Sequence, residues 1–347
     1  MRLYTCYNSL QQAVNRLQAE GEQKIDLGET QNAMTDAKEA NWLLLFLVVL
    51  LALPSIALHA MKIPESPLTM AVKLSASSLI GIVGFLGLKR LNAPFIAVFS
   101  RKNISPSLIL TGGALIFLYI SLTISEVAIT KQVREFLDLP KIASPFEDIL
   151  PLLRSKNLMI FFLFHVIVWG PFCEELFFRG YLQRAYGRMG MLHSVLWPSL
   201  FFAFLHGGGM APFSKIFMGA SLALISLRYN GSIMPSFLIH MGNNLLPPLL
   251  ITIAYAQLPR GVAEEMLFSA AANMKDEATM SPLLPSMALY TVLFFAFIAI
   301  LSTLFLRRLW RQCPITPSPQ MPLKQGWKIV LHLPIVLLGL AIYYLAY

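Results

Sequence analysis

Apolar residues in this chain gather into nine blocks, most of them near the roughly 20 residues that a helix rising about 1.5 Å per residue needs to cross a hydrocarbon core. The blocks run at about Trp42 to Met61, Leu68 to Leu88, Leu108 to Ala128, Asn157 to Tyr186, Leu192 to His206, Phe213 to Leu227, Ile233 to Ala256, Met287 to Leu306 and Ile329 to Ala346. The pattern predicts an all-α, polytopic transmembrane helical bundle of about nine spans, with no internal repeat and no second domain. Residues 1–41 form a polar N-terminal arm and 42–347 the transmembrane domain. In the arm, Leu10, Val14 and Leu17 recur at helical spacing and fit a short amphipathic helix. The first apolar block starts too late and runs too long for a cleaved signal peptide, so it stays as a membrane helix.

Composition agrees, with 56% hydrophobic and 13% charged residues and a mean hydropathy of +0.63, too apolar for a surface facing water. The net charge of +9 sits in short loops between apolar blocks, where basic residues set topology, so no nucleic-acid partner is expected. Lys89, Arg90, Arg101 and Lys102 follow the second span, Arg184 and Arg188 the fourth, Arg228 the sixth, and Arg307, Arg308 and Arg311 the eighth. The intervening loops are mixed or acidic, with Glu135, Asp138, Glu147 and Asp148 before the fourth span and Glu264, Glu265, Asp276 and Glu277 after the seventh. This alternation predicts a cytoplasmic N-terminus and an external C-terminus in a plasma or bacterial inner membrane. Cys6, Cys173 and Cys313 are too widely spaced for a CxxC pair or a disulfide framework.

Ionisable groups inside a bilayer are costly unless paired or exposed to a wet cavity, so each is a candidate site. Gly170 to Asn244 supplies Glu174, Glu175, Arg179, His206, His240, Asn243 and Asn244 from three spans. Glu174 and Glu175 are neighbours about 100° apart on a helix, so they are expected to point to different places and do different work. Arg179 follows Glu175 by one helical turn, which makes Glu175 the paired, structural carboxylate and leaves Glu174 free to react. His240 and Asn244, also one turn apart, present two donors side by side. Counting from the cytoplasmic helix ends places these groups about 10–20 Å deep. Gly207, Gly208 and Gly209 are expected to end the fifth span, and Pro247 and Pro248 to loosen the seventh.

Glu174, Glu175 and Arg179 form an EExxxR motif, Phe202 and His206 an FxxxH motif, and His240 and Asn244 an HxxxN motif, in that order on three apolar spans. In this the chain resembles the CAAX-processing and bacteriocin-processing (CPBP) intramembrane proteases, which include the type II CAAX prenyl-protein endopeptidases. The resemblance covers about Asn157 to Leu250 and implies a catalytic core at about 157–250. It implies a glutamic-type intramembrane endopeptidase in which Glu174 and His206 activate a water, His240 and Asn244 hold the oxyanion, and Glu175 and Arg179 support the site. The implied partners are the membrane and a protein or peptide substrate, with prenylated C-termini, leader peptides and sorting signals all open; no cofactor is implied.

Other readings of the same residues stand beside this one. Two histidines and two carboxylates are a plausible zinc set, although there is no HExxH and the adjacent glutamates do not easily converge on one ion. Cys173 is a thiol beside Glu174, but buried thiols are usually inert. Ser221 has no partnered base nearby, and no Asp lies within a span. His59, His165, His193 and His332 read as packing or interface residues, with His165 roughly opposite Glu174 on the helix. Lys73, Glu126 and Lys215 lie near span ends, where long side chains reach water. A membrane scaffold or immunity protein and a proton-coupled transporter are the non-protease readings; a transporter predicts polar, interrupted helices in both halves, whereas this cluster lies in one.

Overall fold

The computed structural model describes residues 27–61, 67–100, 106–137, 156–206, 211–256 and 285–313. Among these residues all regular structure is helical. The described residues form eight long helices: α1 (Leu27–Ala60), α2 (Pro67–Arg90), α3 (Ser107–Phe136), α4 (residues 156–187), α5 (Met191–Leu205), α6 (Pro212–Arg228), α7 (Met234–Ala256) and α8 (Pro285–Gln312). They coincide with the first eight apolar blocks. The ninth block and the amphipathic stretch at Leu10 to Leu17 lie outside the described residues. By length and composition, three helices are long and apolar enough to cross a membrane, over Ser107–Arg134, Met159–Gly187 and Leu289–Gln312. Large apolar side chains such as Ile82, Leu86, Ile109, Leu110, Phe117, Phe297 and Ile300 face outward, as lipid-facing residues do. The molecule is therefore a helical integral membrane protein.

Helix ends follow local chemistry. Basic residues close α2 (Lys89, Arg90), α6 (Arg228) and α8 (Arg311), complementing the negative end of the helix dipole. Beyond α6 the chain turns through Asn230 and Gly231, both at positive φ, residue types that tolerate the left-handed region.

One difference from the sequence pattern lies in α1, which begins at Leu27, well inside the predicted polar arm. Its polar turns dock on the end of the bundle: Asp36 pairs with Arg188, Asn41 accepts from the Tyr186 hydroxyl, and Glu39 receives Arg90 Nε and Nη2 at 2.6 and 2.8 Å. The start of α1 and the ends of α2 and α4 thus share one face. The turn after α6 joins them, since Gly231 O accepts from Arg184 at 2.6 Å and Ile233 N–H donates to Val98 O at 3.0 Å.

Close packing fixes α4 at the centre. Gly81, Gly84 and Gly87 of α2 lie against Cys173, Phe177 and Tyr181 of α4, three-residue steps meeting four-residue steps as in ridge-into-groove packing. A methyl group at Gly84 would stand 2.8 Å from the Phe177 backbone, and one at Gly81 2.7 Å from the Cys173 Sγ. On the other side Gly219 of α6 meets the Ser199 backbone of α5, and Ser236 of α7 donates to Leu222 O at 2.8 Å.

Candidate active site

The backbone of α4 departs from α-helical form on both sides of the glutamates. Residues His165–Trp169 and Leu176–Leu182 are π-helical and flank the α-helical turn Gly170–Glu175. Pro171 accounts for the first departure, because it has no N–H to offer the turn before it. Gly170 N–H bonds to His165 O, and the i+5 partner of the Val166 carbonyl is Pro171 itself. The Val166 carbonyl is taken instead by Asn244 Nδ2 of α7 at 2.9 Å. Asn243 Nδ2 donates to Asn244 Oδ1 at 3.1 Å, so the Asn244 carboxamide is held at both ends.

The described side chains of the three motifs converge. Arg179 Nη1 lies 3.1 Å from Glu175 Oε1, the predicted one-turn pair, and Nη2 donates to Gly219 O at 3.0 Å. His240 Nδ1 lies 3.0 Å from the same Glu175 oxygen, while its Nε2 is 3.7 Å from Glu174 Oε2. The two glutamates, expected to point apart, therefore meet one imidazole from its two nitrogens; α7 places the ring between them. His206 Nε2 is 3.4 Å from Glu174 Oε2, and its Nδ1 lies 2.8 Å from Phe202 O. With Nδ1–H donated to that carbonyl, Nε2 is the nitrogen left facing Glu174.

Exposure divides the cluster. The side chains of His206 and Glu174 are 33% and 17% exposed, against 4% for His240, 1% for Arg179 and 0% for Glu175. Phe202 separates the two halves: its ring lies tilted against that of His206 at 4.1 Å, meets His240 edge-on at 5.8 Å, and receives the Arg179 guanidinium at 4.9 Å.

The remaining candidates take ordinary places. Cys173 is buried with its sulfur against Gly81. His165 lies 2.6 Å from the Ser77 hydroxyl, and the Trp197 indole donates to His193 at 3.1 Å. Among the described residues no group of three or more His, Cys, Asp or Glu is arranged to hold a metal ion. Glu126, expected to reach water, is instead buried and bonded to the first turn of α6. A carboxylate in an otherwise apolar block was the available signal; its partners lie 87 and 88 residues away, beyond any local spacing rule.

Fold and site together define an integral membrane protein with a carboxylate and histidine cluster gathered from three helices of its bundle. Residues 156–246, from α4 into α7, match the family described as Type II CAAX prenyl endopeptidase Rce1-like. That family is a protease family, and the match bears out the resemblance drawn from the EExxxR, FxxxH and HxxxN motifs. No curated protein and no solved structure matches the chain.

Proposed function

We propose that the chain is a glutamic-type intramembrane endopeptidase that hydrolyses a peptide bond in a membrane-associated protein or peptide. The observation that carries this reading is the approach of Glu174 Oε2 to His206 Nε2 at 3.4 Å, between two partly exposed side chains and with Oε2 itself turned inward, on a sealed polar base. Contacts of this kind tighten when substrate and water are bound.

In the proposed reaction, Glu174 with His206 takes a proton from water as its oxygen attacks the peptide carbonyl carbon. The carbonyl π bond opens to an oxyanion. Asn244 is pre-set to receive it, because one Nδ2 hydrogen is spent on Val166 and the carboxamide still has a second. His240, held at Nδ1 by Glu175, turns Nε2 toward the same space beside Glu174 and is the second oxyanion ligand of the proposal. Collapse breaks the C–N bond, and the proton held by the Glu174 and His206 pair passes to the leaving nitrogen. Arg179, pinned to Gly219 O, holds Glu175 in place and takes no proton. Nine spans with a cytoplasmic N-terminus complete the proposal, on the alternation of basic and acidic loops.

The test is cleavage of prenylated C-terminal peptides, leader peptides and sorting signals by purified wild type, Glu174→Ala and His240→Ala, with and without a strong chelator. Cutting by wild type alone, unaffected by chelator, is the expected result. Chelator-sensitive cutting would transfer the chemistry to a metal, and a wild type that cuts nothing would favour a scaffold or transporter.

A further inference from the structure

Two charged side chains that the proposed reaction does not use meet at the start of α6, one fixing it to α3 and the other reaching back to the end of α5. Glu126 of α3 is 5% exposed. Its two carboxylate oxygens accept the Phe213 and Ser214 backbone N–H groups at 2.8 and 2.9 Å. These are among the first N–H groups of α6, which have no intrahelical acceptor and sit at the positive end of the helix dipole. Lys215, the next residue, donates from Nζ to the backbone carbonyl of His206 at 2.5 Å. Immediately before α6, buried Ala211 is held at φ 54°, a region that residues other than glycine rarely enter.

His206 lies where α5 has ended, just past Leu205, so less of the helical ladder holds its backbone than holds that of Phe202. Its imidazole must nonetheless stay beside Glu174, and an error of about 1 Å in such a contact can cost on the order of a hundredfold in rate. We infer that Glu126 and Lys215 are positioning residues for His206. Glu126 fixes where α6 starts, and Lys215, carried on the first turn of α6, clamps the His206 carbonyl and thereby the direction of its side chain. This inference rests on the protease reading above. The two residues act in series, because displacing the first turn of α6 also displaces the Lys215 ammonium.

The experiment compares kcat and KM of wild type, Lys215→Met, Lys215→Arg, Glu126→Gln and the Glu126→Gln/Lys215→Met double variant, each with its melting temperature. Methionine keeps the apolar stem and removes the donor; arginine keeps a donor. Lys215→Met is expected to lower kcat about thirtyfold to a hundredfold with KM within about twofold and melting temperature near wild type, and Lys215→Arg to restore most of the rate. The loss in the double variant should fall well short of the product of the two single losses. Unchanged kcat in Lys215→Met, a loss that follows melting temperature, or independent losses in the double variant would each overturn the inference while leaving the protease reading intact. A wild type that cuts nothing would remove that reading, and this inference with it.

Discussion

The polar cluster has two halves built from neighbouring residues and doing opposite things. Glu174 and His206 meet loosely at 3.4 Å and stay partly exposed. Glu175, Arg179 and the Nδ1 edge of His240 are sealed, with contacts of 3.0 and 3.1 Å converging on one carboxylate oxygen. The identical side chains Glu174 and Glu175 differ only in their direction from one backbone. A carboxylate that must exchange a proton has to be reachable and incompletely committed. One that holds an arginine and an imidazole in place does so best when water is excluded, because the unpaired alternative is then expensive.

Exchanging the carboxylates one at a time is the strongest way to break that comparison. Glu174→Gln should lower peptide cleavage by about a thousandfold or more while leaving folded yield and melting temperature close to wild type. Glu175→Gln should lower both, because the amide no longer matches the charge of Arg179. Equal losses of stability in the two variants would erase the distinction between the halves. Next in size is Arg179→Ala, which leaves Glu175 buried without its cation and should destabilise the protein by about 3–5 kcal/mol. Detergent-solubilised thermal unfolding would measure it, and a stable Arg179→Ala protein would show that His240 alone suffices for Glu175.

Part of this arrangement is legible in the sequence. The Glu175 and Arg179 pair follows from one-turn spacing, and eight of the nine apolar blocks became helices close to where the hydropathy pattern put them. What stayed hidden depends on contacts distant in sequence. That both glutamates reach His240 requires α7 to fall between them, 65 residues after Glu175. The Asn244 bond to Val166 O requires the π turn before Pro171, and the 78-residue separation of the partners carries no periodic signal. The position of Glu126 near a span end suggests water, whereas the first turn of α6 is there to bind it. The early start of α1 is hidden for a related reason, since Asp36, Glu39 and Asn41 look like a solvated arm until Arg188, Arg90 and Tyr186 are placed opposite them.

The sealed half also depends on how closely α2 approaches α4. A methyl group at Gly84 would stand 2.8 Å from the backbone of Phe177, which is part of the π-helical segment carrying Arg179. Backbone cannot swing aside as a side-chain tip can, so Gly84→Ala should cost about 1–3 kcal/mol through overpacking. It should also lower cleavage less than Glu174→Gln does, because it moves the base of the site and leaves Glu174 in place. Wild-type stability in this variant would mean that α2 is free to shift.

The smallest effect is expected at the rim, where the arm meets the bundle. Arg90, hydrogen-bonded to Glu39, holds that carboxyl below its usual value of 4.5, and the nearby positive charge adds to the effect. A group whose folded value is depressed contributes stability that is present above its unfolded value and lost as pH falls through the folded one. The Glu39 contribution is therefore intact at neutral pH and fades below about pH 4.5. The Glu39 side chain is 35% exposed and that of Arg90 64%, so solvent and salt screen the pair and the shift in melting temperature should be slight. Glu39→Gln should remove that part of the acid dependence, and high salt should make wild type and variant converge. A large, salt-insensitive loss would place the first turns of α1 among the sealed contacts of the bundle and move the boundary between its two kinds of polar contact outward to the arm.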